Sequence, residues 1–146
     1  MNVSYFKINH LISDAYGLLQ RCTHEGLEGF DLSVGQFRLL EVLVSGRACS
    51  PAQCSRAINL TPAAMTPIMD KLERLGLIVR VRESDDRRFI TLKLLPAGEA
   101  IYHRAAQAVS VVHRRPGLVE REPGVLADVV GWDSVRVQQG VLRQVA

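Results

Sequence analysis

The chain has 146 residues, 47% of them hydrophobic and 23% charged, which supplies apolar material for one packed domain and excludes a wholly disordered polymer. A formal charge of +3 and a pI near 9.0 make it mildly basic, a balance that permits a polyanionic partner without demanding one. Met1 is followed by NVSYFKINH rather than a basic start and an apolar run, no stretch reaches membrane-spanning length, and Cys22, Cys49 and Cys54 make no secreted disulfide framework, so a cytoplasmic protein with no membrane partner is expected.

Residues 5–22 carry Ile8, Leu11, Ile12, Ala15, Leu18, Leu19 and Cys22 at spacings of three and four, which predicts a first helix with one apolar stripe. The glycines of THEGLEGFD then interrupt the pattern. Three further helices open on the same punctuation. Ser33 has Gln36 three residues on, and Ser50 has Gln53, the spacing of a capping box; Thr61 precedes Pro62, a residue suited to a first helical position. The second helix presents Phe37, Leu40, Leu43 and Val44 and stops near Gly46. A short third helix over 50–58 presents Cys54, Ala57 and Ile58. The fourth, over 61–75, has the stripe Met65, Ile68, Met69, Leu72 and Leu75, with Gly76 as its C-terminal cap. Pro67 lacks a donor and crowds the preceding turn, so the helix is expected to be shifted or kinked around 63–67.

After Gly76 the period changes. LIVRVR (77–82) and FITLKL (89–94) are rich in β-branched residues and flank ESDDRR, which predicts a two-stranded hairpin with a charged turn. A fifth helix over 98–113 has Ile101, Ala105, Ala108, Val109 and Val112 inward, and a sixth is expected from about 133 to 145. The order of helix, short helix, link, helix and hairpin predicts a mainly α fold with a small β-hairpin, a winged helix-turn-helix.

Such a pair of helices can place its second member in the major groove of duplex DNA. The outward positions are Thr61, Ala63, Ala64, Thr66 and Asp70, with Lys71 and Arg74 further along; the threonines and alanines suit phosphate, base-edge and thymine-methyl contacts. The blander readings are that Thr61 only caps and Thr66 only faces water. The hairpin over 80–93 sets Arg80, Arg82, Arg87, Arg88 and Lys93 against Glu83, Asp85 and Asp86; it is either a solvated turn or an arginine finger for a narrow minor groove, with Asp86 fixing the pose of Arg88.

The segment CSRAINLTPAAMTPIMDKLERLGLIVRVRESDDRRFITLKLLPAG, residues 54–98, resembles the MarR family of winged-helix transcription regulators in order and spacing; LERLGLIVR followed by DDRRFITLKLLPAG is its most specific part. The resemblance in element order extends over most of 5–146. It implies a homodimer on a palindromic operator in duplex DNA, usually a repressor relieved by a small-molecule effector or by oxidation. It implies recognition-helix contacts from Thr61, Ala63, Ala64 and Thr66, minor-groove entry by Arg88 supported by Asp86, and a flanking phosphate contact from Arg87. Two positions depart from the family pattern: Pro67 stands where a polar or basic residue is frequent, and Leu95 replaces the threonine that usually precedes the following helix.

A division follows, with a winged-helix lobe over 31–97 and a helical dimerisation region from 5–24 and 98–146. Phe6, Leu11, Leu18, Val135, Leu142 and Val145 are expected to be covered by a second subunit, with a larger monomer core as the alternative. Cys54 reads as a packing residue, while Cys22 and Cys49 are candidates for oxidation. The four histidines are dispersed, and no metal site, cofactor motif, nucleophile elbow or phosphate loop occurs, so no enzyme is expected. The competing function is a winged helix that binds protein without reading DNA sequence.

Overall fold

A computed structural model of the chain describes residues 5–47, 49–82 and 90–114. Five helices and one hairpin follow in order: α1 (Tyr5–Gly26), α2 (Val34–Val44), α3 (Pro51–Ala57), α4 (Pro62–Arg74), β1 (Ile78–Arg82), β2 (Ile90–Leu94) and α5 (Pro96–His113). The charged turn, Arg87 and Arg88 with it, and the sixth helix expected from residue 133 lie outside the described residues.

The predicted caps form. The Ser33 hydroxyl accepts from the Gln36 amide while the Gln36 side chain accepts from the Ser33 amide, and Ser50 and Gln53 repeat the reciprocal pair. Thr61 Oγ1 accepts from the Ala64 amide at 3.2 Å. Each such cap offsets orphaned backbone donors, typically by about 1 kcal/mol. At the other end of α4, Gly76 adopts φ +68° and the Leu77 amide reaches back to the Leu72 carbonyl at 2.9 Å, which turns the chain directly into β1.

α1 runs to Gly26, four residues past the expected end. Packing overrides the glycine's weak helix propensity here: a Cβ at Gly26 would lie 2.6 Å from the Val109 Cα, so only glycine lets α1 and α5 approach this closely. α5 likewise starts at Pro96, two residues early, with proline in the first turn. α4 runs from Pro62 to Arg74 with Pro67 inside it. The amide missing at Pro67 is the one that would bond to the carbonyl of Ala63, and both residues are exposed, so water can reach the open acceptor.

The core gathers Leu39 and Leu40 of α2, Cys54 of α3, Met65 and Leu72 of α4 and Ile78 of β1, all essentially inaccessible, with Leu92, Ala105 and Val109 joining from β2 and α5. Three residues placed inward by periodicity fall elsewhere: Leu75 is 41% exposed, Ala57 is exposed, and Leu43 packs on the core margin while Leu39 and Val42 take the interior. Leu75 is the C-cap, where the helical period ends before the stripe does. β1 and β2 pair antiparallel from Ile78 opposite Leu94 to Arg82 opposite Ile90. Two bonds fasten this hairpin: the Leu92 amide donates to the Cys49 carbonyl at 2.7 Å, and the Leu95 amide to the Leu77 carbonyl at 3.0 Å.

Candidate nucleic-acid interface

The turn between α3 and α4 is set by one residue. Asn59 takes a left-handed backbone, φ +56°, and the Leu60 amide returns to the Ser55 carbonyl at 2.8 Å. Asparagine tolerates that conformation better than most residues. Ile58 is buried immediately before the turn, and Met65, Met69 and Leu72 are buried after it, so the two helices share one apolar seam. The opposite side of α4 is thereby forced outward. Ala63, Thr66, Pro67, Asp70 and Arg74 recur at spacings of three and four and are all exposed, with Ala64 on the flank.

The polar groups on this side are already committed in a specific way. The Thr66 hydroxyl donates to the Pro62 carbonyl at 3.1 Å, which leaves its lone pairs outward. Thr61 uses its oxygen as a cap acceptor and keeps its proton. Lys71 Nζ is held by Asp31 at 3.0 Å. Asp70 is bound by Arg80, whose guanidinium donates to Asp70 Oδ1 at 2.6 Å and to Glu73 Oε2 at 2.7 Å. The Arg80 backbone amide adds a third bond, to Glu73 Oε1 at 3.2 Å.

That last cluster is the functional feature that pattern reading missed. Arg80 counts in the sequence as a free positive charge of the hairpin and Asp70 as a solvent-facing acid. In the structure they lock β1 onto the outer edge of α4. No local signal joins residues that lie ten apart in different elements; the only hint is that an acid at 70 and 73 and a base at 80 bracket a glycine turn. Arg56, exposed on α3, is a second basic residue on this lobe.

Thr61, Ala63, Ala64 and Thr66 are thus brought together on one exposed surface, and the hairpin that leads to 83–89 is fixed beside them. Arg87, Arg88 and Asp86 lie outside the described residues. The two candidate cysteines do not come together with this surface in a shared site: Cys22 is buried in α1, whereas Cys49 is exposed, with its Sγ 3.7 Å from Gln53 Oε1. Cys54 is buried, and its thiol pKa is pushed up to about 11 by burial and, secondarily, by Cys49. Among the described residues no group of histidine, cysteine and acidic side chains could hold a metal, and no helix is long and apolar enough to cross a membrane.

A family model described as "MarR family" matches residues 32–90, which takes in α2, the α3–α4 pair and β1 and ends at the first residue of β2. That match takes in 59 of the 146 residues, so over this lobe the chain is similar to the MarR family. The chain is similar to the HTH-type transcriptional repressor YetL of Bacillus subtilis, 32% identical over 74 residues, covering 49% of the chain and 44% of YetL. It is also similar to the multiple antibiotic resistance protein MarR of Salmonella typhimurium, 27% identical, covering 66% and 62%. The alignments therefore span about half to three fifths of those curated relatives. Among solved structures, wild-type apo MarR from E. coli superposes with a TM-score of 0.67 at 22% identity, covering 90% of this chain and 97% of that one. A mutant MarR from E. coli complexed with operator DNA gives a TM-score of 0.64 at 24% identity, covering 84% and 93%. At these identities the superpositions establish the fold, a winged helix-turn-helix.

A second feature lies on the far side of α2. A cavity of about 480 Å³ opens between α1, α2 and α5, lined by Tyr16, Gln20, Phe37, Arg38, Tyr102 and His113 among others. Tyr102 stacks on Phe37 with ring centroids 5.4 Å apart, and the Arg38 guanidinium donates to Tyr16 Oη at 3.3 Å. Burial and the neighbouring Glu41 push the Tyr102 phenol pKa upward, so it is a neutral donor at ordinary pH.

Proposed function

We propose that this chain is a sequence-specific regulator of transcription that binds duplex DNA as a homodimer. α4 occupies the major groove with Thr61, Ala63, Ala64 and Thr66; the hairpin turn follows the adjacent minor groove with Arg88 inserted, Asp86 holding its pose and Arg87 on a flanking phosphate. The observation that supports this reading is the Arg80 bridge, which holds β1 beside the exposed side of α4. A rigid reader and wing is useful against a double helix, whose grooves impose their own spacing.

Two further observations support the rest. α1 and α5 expose Tyr5, Phe6, Ile12, Leu19 and Val111, an apolar strip of the kind that a second copy would cover. The cavity between α1, α2 and α5 joins that strip to the DNA-reading lobe and suits a small effector whose binding relieves repression. Its phenols, Arg38 and stacked rings favour an aromatic or anionic molecule. Binding of p-coumaroyl-CoA is recorded for CouR of Rhodococcus jostii, which shares the fold with a TM-score of 0.65 at 21% identity.

The test is selection of bound fragments from random duplex DNA, followed by titration of the winner in a mobility assay. The expected outcome is an inverted repeat with half-site centres about one helical turn, near 34 Å, apart, with affinity falling steeply as salt rises. Arg88→Ala should weaken binding while leaving the circular dichroism spectrum unchanged. Retention of no duplex at low salt would instead favour a winged helix that binds protein.

A further inference from the structure

Resting on the reading of α4 as the groove-reading helix, we infer that this chain selects A·T pairs beneath the first two turns of α4, with Thr66 as an acceptor for the adenine amino group and Ala63, Ala64 and Pro67 packed on thymine methyls. The inference starts from hydrogen-bond inventory. From Ala63 to Asp70 the outward side of α4 offers no uncommitted side-chain donor: Ala63 and Ala64 have none, Pro67 lacks even its amide proton, and Asp70 is an acceptor held by Arg80; the nearest free hydroxyl proton is that of Thr61, at the cap. Thr66 has spent its proton on the Pro62 carbonyl. What it presents to a partner is a pair of lone pairs beside a methyl group.

Guanine is read in the major groove by donors, arginine or lysine on O6 and N7. The cation on this face, Arg74, sits eight residues beyond Thr66, about 12 Å further along the helix axis, and Lys71 is turned to Asp31. Base pairs beneath 63–67 must therefore supply the donor to Thr66 themselves. Adenine N6 and cytosine N4 both do so. The pyrimidine decides between them, because thymine carries a methyl that an alanine and proline surface can cover, and cytosine leaves that surface against water or a guanine acceptor. The position where Pro67 departs from the family pattern is thus part of the reading surface, an apolar ring where a donor would otherwise stand.

The test uses the full chain and the operator obtained by selection. Thr66→Val keeps the shape and the methyl but removes the acceptor, and should weaken binding about 3- to 10-fold per contact. Replacing the contacted adenine with unsubstituted purine removes the amino group and should cause the same loss, and the two changes together should cost no more than either alone. Thr66→Ser should retain the preference, while deoxyuridine for thymine should weaken binding about 3-fold for each methyl lost. Selection of guanine at these positions, or additive losses for Thr66→Val and the purine substitution, would overturn this inference and leave the DNA-binding reading intact. Failure to retain any duplex would remove both.

Discussion

At the residue scale, several positions are fixed by what an added or removed atom would meet. Gly98 is buried at the start of α5, where a Cβ would overlap the Leu77 carbonyl oxygen and press on Leu94. The carbonyl is itself held by the Leu95 amide, so it cannot give way cheaply. Gly98→Ala should therefore destabilise the fold by about 1–3 kcal/mol, read from the urea midpoint. The cysteines separate by access and proton affinity. Iodoacetamide at pH 8 should modify Cys49 in the native chain and reach buried Cys54 only on unfolding, as mass spectrometry of the peptides would show. Because the folded state holds the Cys54 proton more tightly, with a pKa near 11 against 9.0 for a free thiol, its contribution is intact below pH 9 and declines as pH rises toward 11. Cys54→Ala should flatten that alkaline decline.

At the element scale, the local signals were legible and the long-range ones were not. Ser33 with Gln36 and Ser50 with Gln53 announce helix starts because the chemistry that satisfies those amides lies within four residues of sequence. The end of α1 was not legible, since Gly26 is helical only by virtue of Val109, 83 positions away. Pro67 does not end the helix: the acceptor it leaves open, the Ala63 carbonyl, belongs to an exposed residue that water can reach. The candidate surface of Thr61, Ala63, Ala64 and Thr66 was read correctly as exposed, whereas the brace of Arg80 on Asp70 and Glu73 was hidden by treating each charge singly. Arg80→Met should lower stability by only about 1 kcal/mol, because the side chain remains partly open to water. Its larger effect should be on duplex affinity, and that loss should shrink in an Arg88→Ala background, since the brace acts through the hairpin. Equal losses in both backgrounds would show that Arg80 contributes to binding by another route.

At the scale of the whole molecule, the apolar residues divide between a packed lobe and an uncovered strip. Leu39, Leu40, Met65 and Leu72 close the lobe without help, while Phe6, Ile12, Leu19 and Val111 stay open along α1 and α5. Sedimentation at micromolar concentration should report about twice the 16.2 kDa chain mass. Ile12→Glu should shift the particle toward the single chain and abolish tight binding to the full inverted repeat, while leaving weak binding to one half-site. The passage from β2 into α5 has one more consequence. Leu95 is tied to Leu77, and Gly98 seats the helix on that same carbonyl, so the joint between hairpin and helix has no slack. A lever without play behaves like a seesaw: any tilt imposed on the His113 end of α5, by a guest molecule or by a twin subunit, must reappear at the hairpin rather than dissipate on the way.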